Sequence, residues 1–205
     1  MFREVIAQTV ENGFNVKDEY KTKTVEELRD ICSNVSIPFR VCALSVEGDL
    51  NIGMMARTAS LLGAEKFYIF GRRKFDRRSL VGAQNYLPIE RIDGLDENGK
   101  ISLDKFVEFV WNERLNPVFI EQSGEDIRKA DFNQIIRASA AESRKMCLVF
   151  GNEATGIPTQ FSLTYEAPIF TIPQVGVLRS YNVAAAASIV MWEVYRQWNL
   201  GLDKK

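Results

Sequence analysis

Short apolar runs alternate with helical patterns along most of this chain, and that alternation limits its fold more than any other feature. Residues 39–46, 66–70, 117–120, 146–150 and 168–172 read as strands. Between them, Ile52, Met55, Ala56, Ala59 and Leu62 recur at helical spacing, as do Leu103, Phe106, Val107, Val110 and Trp111. Residues 133–141 and 182–198 read as further helices, 93–99 as a polar turn region, and Gly63 as a helix stop. Alternating strands and helices favour an α/β domain, a mostly parallel sheet with helices on both faces and right-handed crossovers. A chain of 205 residues that is 46% hydrophobic suits one such domain, expected over 39–205. Residues 1–38 form a polar extension, in which Thr24 to Glu27 matches a capping box and predicts a helix over about 25–33.

The last helix is apolar on two sides. Val183, Ala187, Val190, Val194 and Trp198 form one stripe, while Ala185, Ile189 and Trp192 lie on the other side. Such a helix is buried by more than one neighbour. Either it is fully internal, or a second copy of the chain covers its outer face, giving a homodimer through the C-terminal helix.

Composition removes several chemistries. There is no histidine, so Ser-His-Asp and Cys-His mechanisms and a histidine base are excluded within one chain. Cys32, Cys42 and Cys147 include no C-x-x-C pair, which argues against a zinc site. Two of them sit in apolar runs, as expected of packed thiols in a reduced, cytoplasmic protein. No apolar stretch approaches the roughly 20 residues of a membrane span, and the first residues lack a signal-peptide core. With 26 Lys+Arg against 27 Asp+Glu, whole-chain charge gives no sign of a nucleic-acid partner. Its distribution does: five cations fall in the seven positions from Arg72 to Arg78, among them Arg73 and Arg77. That run is either a solvated loop or a phosphate-binding patch.

Three segments place polar side chains and glycines after predicted strands, where open α/β sheets bind ligands. They are Asn51-Ile-Gly-Met-Met-Ala-Arg57, Phe150-Gly-Asn-Glu-Ala-Thr-Gly156, and Thr171-Ile-Pro-Gln-Val-Gly-Val-Leu-Arg-Ser-Tyr-Asn182. Gly48, Gly53, Gly151, Gly156 and Gly176 are expected along that edge, where backbone can approach a ligand closely. None of the loops is a G-x-G-x-x-G or Walker A sequence, so the usual dinucleotide and triphosphate signatures are missing. Taken singly, each polar residue has an ordinary explanation: Asn51, Ser180 and Asn182 as helix caps, Arg57 as a surface cation, Glu153 as a complement to a helix dipole.

Taken together, the three segments resemble the SpoU/TrmH-type family of the SPOUT superfamily, S-adenosylmethionine-dependent RNA 2′-O-ribose methyltransferases. Asn51, Gly53 and Arg57 match its first motif, residues 148–157 its second, and Ile172, Pro173, Gly176, Ser180, Asn182, Val183 and Ala184 its third. Tyr181 stands where the family usually has leucine. The resemblance covers about residues 39–199. It implies a C-terminal trefoil knot, a dimer, an RNA substrate (tRNA or rRNA) and an S-adenosylmethionine site touched by Gly151, Ile172, Tyr181 and Leu178. It also implies a catalytic set of Arg57, Asn51, Glu153, Ser180 and Asn182. In that setting Arg72, Arg73, Arg77 and Arg78 are expected to contact RNA. Two other readings stay open: a catalytically inactive RNA-binding protein of the same fold, and an RNA base methyltransferase.

Overall fold

The apolar runs do become strands, and every neighbouring pair is parallel. In the computed structural model, which describes residues 16–71 and 76–202, helix α1 (Val25–Asn34) precedes β1 (Ile37–Leu44), α2 (Asp49–Leu61), β2 (Ala64–Phe70) and β3 (Ile89–Ile92). Then come α3 (Leu103–Asn112), β4 (Leu115–Asp126), α4 (Phe132–Ala141), β5 (Lys145–Phe150), α5 (Thr159–Tyr165), β6 (Ile169–Thr171) and α6 (Val183–Leu202). The strands form a six-stranded sheet in the order β3-β2-β1-β5-β4-β6. The capping box forms as expected: the Thr24 hydroxyl accepts from the Glu27 N–H, and the Glu27 carboxylate accepts from the Thr24 N–H.

Both faces of the sheet are covered, which is why its central strands read as unbroken apolar runs. On one face Phe39, Val41, Phe67, Leu148 and Phe150 pack against α2, α4 and α6 through Ile52, Met55, Ile136, Ala187, Val190 and Val194. On the other, Cys42, Leu44, Tyr68, Phe70 and Val149 meet Phe106, Phe109 and Val110 of α3 and Phe161 of α5. Burial pushes the Cys147 thiol up to about 12, so this cysteine has no thiolate to offer chemistry. Among the described residues no helix is long and apolar enough to cross a membrane, and no cluster of potential ligands could hold a metal ion.

The order places a topological switch between β1 and β5. From β1 the chain moves outward to β2 and β3; from β5 it moves the other way, past β4 to β6. Open parallel sheets bind ligands at the carboxyl ends of the strands beside such a point. The opposite end carries a half-buried ionic cluster. There Arg40 Nη1 donates to Tyr68 Oη at 2.6 Å and to Glu113 Oε2 at 3.0 Å, and Lys66 Nζ donates to the same Glu113 oxygen at 3.1 Å.

Two elements escape the sequence pattern. The edge strand β3 has no fully buried residue, and α5 is only seven residues long. A third difference matters for function: β4 runs on through the polar stretch Glu121–Asp126 instead of ending at Ile120.

Phe106 anchors α3. It is fully buried, with ring centroids 4.8 Å from Phe161 and 5.3 Å from Phe70. Phe106→Ala should cost about 3–5 kcal/mol in urea denaturation, and Phe106→Leu distinctly less. A loss below about 1 kcal/mol for the alanine variant would show that this cluster does not set the packing of α3.

Candidate active site

The three motif segments meet at the carboxyl ends of β1, β5 and β6, and one carboxylate joins them. Glu153, in the loop after β5, accepts from the Glu47 N–H at 2.9 Å, the Gly48 N–H at 3.1 Å and Asn51 Nδ2 at 2.8 Å. Asn182 Nδ2, in the segment after β6, donates to Asn51 Oδ1 at 3.1 Å. A chain of hydrogen bonds thus runs from the third motif through the first to the second. Asn51 is not the cap of α2, as the sequence allows; Gly48 occupies that position, and Asn51 lies in the first turn with its amide turned to this bridge. Asn182 does cap α6, accepting from the Ala184 N–H at 2.9 Å and the Ala185 N–H at 3.3 Å while its Nδ2 reaches Asn51.

Burial raises the Glu153 carboxyl, but the N–H groups of Glu47 and Gly48 and the Asn51 amide outweigh it and hold the carboxyl below its usual range. Asn152 beside it completes the loop. Its Nδ2 donates to Ser45 O at 2.8 Å, and its Oδ1 accepts from the N–H groups of Ala154 and Thr155. Gly151 is required by this fold-back: a Cβ there would lie 2.5 Å from the carbonyl carbon of Gly156 and 2.7 Å from the Ile157 nitrogen.

Beside the bridge opens a cleft of about 810 Å³. Gly151, Glu153, Ile172, Ser180, Tyr181 and Asn182 line it, together with Phe150, Val183 and Ala186. Leu178 does not; it is 78% exposed in the loop between β6 and α6. The extended end of β4 adds residues that the sequence pattern misses: Glu121, Gln122 and Ser123 line the cleft, and Glu121 Oε1 accepts from the Ile157 N–H at 2.5 Å. Gln174 and Arg179 belong to the same wall and escape the sequence pattern as well.

Not every glycine expected along this edge lines the cleft. Gly53 does not line the cleft; a Cβ there would lie 2.0 Å from Ser79 O, so this glycine lets the segment after β2 lie against α2. Gly176 sits outside the cleft, with open space around the position that a Cβ would take. Arg57 also lies outside the cleft of its own chain, on the exposed side of α2. Of the basic run, Arg72 and Arg73 lie outside the described residues. Arg77 is exposed, whereas Arg78 is gripped by Asp76 through its Nε and Nη2 at 2.9 Å and 2.6 Å.

The profile of the SpoU rRNA methylase family matches residues 38–192. The chain belongs to this family. It is 25% identical over 166 residues to a mouse protein named tRNA (guanosine(18)-2′-O)-methyltransferase TARBP1, covering 78% of this chain and 10% of that protein. Over 169 residues it is 27% identical to the putative TrmH family tRNA/rRNA methyltransferase YacO of Bacillus subtilis, covering 79% of this chain and 60% of YacO. The AdoMet-bound rRNA methyltransferase from Sinorhizobium meliloti superposes with a TM-score of 0.60 at 26% identity, covering 82% of this chain and 59% of that one. The chain therefore spans less than two thirds of each of these relatives.

Because Glu153 is held below its usual range in the folded state, it contributes stability above the ordinary carboxyl value of about 4.3, and that contribution is lost as pH falls through its folded value. Glu153→Gln removes this component and turns an NH₂ toward the N–H donors of Glu47 and Gly48. The melting-temperature gap between wild type and Glu153→Gln should be widest near neutrality and narrow between about pH 5 and pH 3. A gap that does not change with pH would contradict an ionised Glu153 at the bridge.

Proposed function

We propose that this protein transfers a methyl group from S-adenosylmethionine to a ribose 2′-hydroxyl of tRNA or rRNA. The observation that carries this reading is the hydrogen-bonded union of all three motif segments at one cleft. The relatives named above as tRNA and rRNA methyltransferases support it, as does the S. meliloti structure described as AdoMet-bound.

The cleft suits the cofactor. At about 810 Å³ it lies within the range of sites for molecules of that size. Its walls pair apolar surface from Ile120, Phe150, Ile172 and Val183 with loop backbone, and they carry two carboxylates, Glu121 and Glu153, that complement a cationic sulfonium ligand. When bound, S-adenosylmethionine supplies an electrophilic methyl group. Ile172, Tyr181 and the backbone at Gly151 would hold the adenosine end.

The protein then has to position a ribose hydroxyl in line with that methyl group, with the hydroxyl proton released to solvent at the mouth of the cleft. Ser180 lies exposed in the cleft, and its hydroxyl can accept a hydrogen bond from the ribose. Glu153 and Asn182 are committed to the bridge, so their part is to hold Ser180 and the cofactor loops in register. The planar guanidinium of Arg57 orients a ribose and its phosphate through paired N–H donors.

Arg57 stands outside its own cleft, within a stripe of exposed apolar residues on α2: Leu50, Met54 and Leu61, which are 76%, 56% and 75% exposed. Alongside, α6 exposes Ala185, Ile189 and Trp192, and Thr58 of α2 is hydrogen-bonded to Ser188 of α6. An apolar face of this kind favours a second copy as its cover. The dimer joined through α2 and α6 brings Arg57 of one protomer toward the cleft of the other. Of the extension expected over 1–38, residues 25–34 form α1, and β1 already begins at Ile37; we assign the methyltransferase domain from β1 onward, with the chain from β5 to α6 passing through the knot of the family. The far end of β4 and the loops after β5 and β6 converge on one cleft, as that passage requires.

Calorimetry should show binding of S-adenosylhomocysteine, and labelled methyl groups should appear on RNA as ribose methylation that blocks alkaline cleavage at the modified nucleotide. Methyl groups mapped to a base would refute the ribose assignment. Arg57→Ala should lower turnover by about 100-fold while cofactor affinity stays within a factor of about two. Loss of cofactor binding with normal turnover at saturating cofactor would remove Arg57 from the catalytic set. In sedimentation velocity at micromolar concentration, Trp192→Glu should shift the protein from dimer to monomer; an unchanged dimer would place the interface elsewhere.

A further inference from the structure

We infer that Arg179 is the residue of the cleft that receives a backbone phosphate next to the target ribose. This rests on the RNA methyltransferase reading above. Three charged residues line the cleft: Glu121, Glu153 and Arg179. The two carboxylates are engaged by N–H donors of the protein itself, Glu153 by Glu47, Gly48 and Asn51, and Glu121 by Ile157 and Gln122. Arg179 differs. Its carbonyl oxygen accepts from Gln174 Nε2 at 3.2 Å, which ties its backbone into the loop, while no hydrogen bond or ion pair among the described residues engages its guanidinium. Arg179, exposed and next to Ser180 in sequence, thus lines the cleft with no partner for its guanidinium among the described residues.

The substrate supplies the matching charge. An internal ribose of an RNA strand carries a phosphate on each side, so the reacting hydroxyl cannot enter without an anion close by. Two carboxylates in the cleft oppose that anion. A planar guanidinium compensates, because it binds phosphate oxygens through two parallel N–H donors and so fixes orientation as well as charge. Arg57 is not among the residues lining this cleft and reaches one only from a partner protomer, so the one cation that the chain itself places in the cleft wall is Arg179. Arg179 therefore acts as a positioning residue for RNA, separate from the cofactor-binding walls.

The test uses the full chain, radiolabelled total tRNA from cells lacking this gene, and the variants Arg179→Ala and Arg179→Lys. For Arg179→Ala, tRNA affinity measured by filter binding should fall about tenfold. The slope of log affinity against log salt should flatten by about 0.7–0.9, the loss of one phosphate contact. Arg179→Lys should recover the slope but not the full affinity. Calorimetric affinities for S-adenosylhomocysteine and for methylthioadenosine, which lacks the amino-acid tail, should stay within about twofold of wild type. Two outcomes overturn the proposal. One is an unchanged affinity and slope for Arg179→Ala. The other is weakened S-adenosylhomocysteine binding with unchanged methylthioadenosine and tRNA binding, which would assign Arg179 to the carboxylate of the cofactor. The binding arms decide Arg179 even if wild type methylates no RNA, a result that would instead sink the enzymatic reading.

Discussion

Everything at the carboxyl edge of this sheet depends on the Glu153 carboxylate. One side chain draws in the backbone after β1 through Glu47 and Gly48, the first turn of α2 through Asn51, and by way of Asn51 the segment before α6 through Asn182. The turn between β1 and α2, the Glu153 loop and the segment before α6 lie far apart in sequence, and no apolar contact can position loops at the end of a sheet as sharply as directional, charge-assisted hydrogen bonds. The buried sheet fixes where β1, β5 and β6 end. The bridge fixes how the loops leave them, and the cleft is the space left beside it.

This arrangement separates two kinds of polar residue that a motif presents together. Asn51, Glu153 and Asn182 spend their hydrogen-bonding capacity on one another and on backbone N–H groups. Ser180 and Arg179, adjacent to them, spend almost none within the described structure. Chemistry on a ligand falls to the second kind, whereas the first keeps its geometry constant while a ligand comes and goes. The same division appears after β2: Gly53 lets Ser79 lie against α2, Asp76 donates its N–H to Asp49 Oδ2 at 3.1 Å, and Arg78 is folded onto Asp76. A run that is rich in cations on paper is partly committed to its own loop.

The sheet was legible because parallel strands buried on both faces must be apolar throughout, and residues 146–150 can be little else. The amphipathic helices were legible for the same reason at a different period. Elements with less burial were not: β3 is an edge strand with no fully buried residue, and α5 is too short to show a period. Residue type and spacing single out the motif residues, but not the partner that each side chain takes. Nothing in Asn51 itself says that its amide faces Glu153 and Asn182 instead of capping a helix. The far end of β4 was missed for a physical reason too. Glu121 to Ser123 leave the covered part of the sheet and enter the cleft wall, so they are polar where the strand pattern demands apolar residues. A polar continuation of a buried strand is itself a signal that a strand has reached a site.

Near-neutral net charge conceals how the charge is spent. Many acidic and basic side chains of the described structure neutralise one another locally, as in the Arg40–Glu113–Lys66 cluster at the opposite end of the sheet and the Arg196–Glu193 pair on α6. On the proposed reading, what the cleft itself offers an RNA strand is Arg179. A protein built this way gains little from long-range attraction, since screening over about 8–10 Å at physiological salt removes what a balanced surface leaves. Its discrimination must come from short-range contacts at the mouth of the cleft, where a single guanidinium beside two occupied carboxylates changes the local balance. If the ligand is RNA, as proposed, the burden of choosing it falls on the shape of the surface around the cleft and on a few side chains at its edge, and not on the charge of the molecule as a whole.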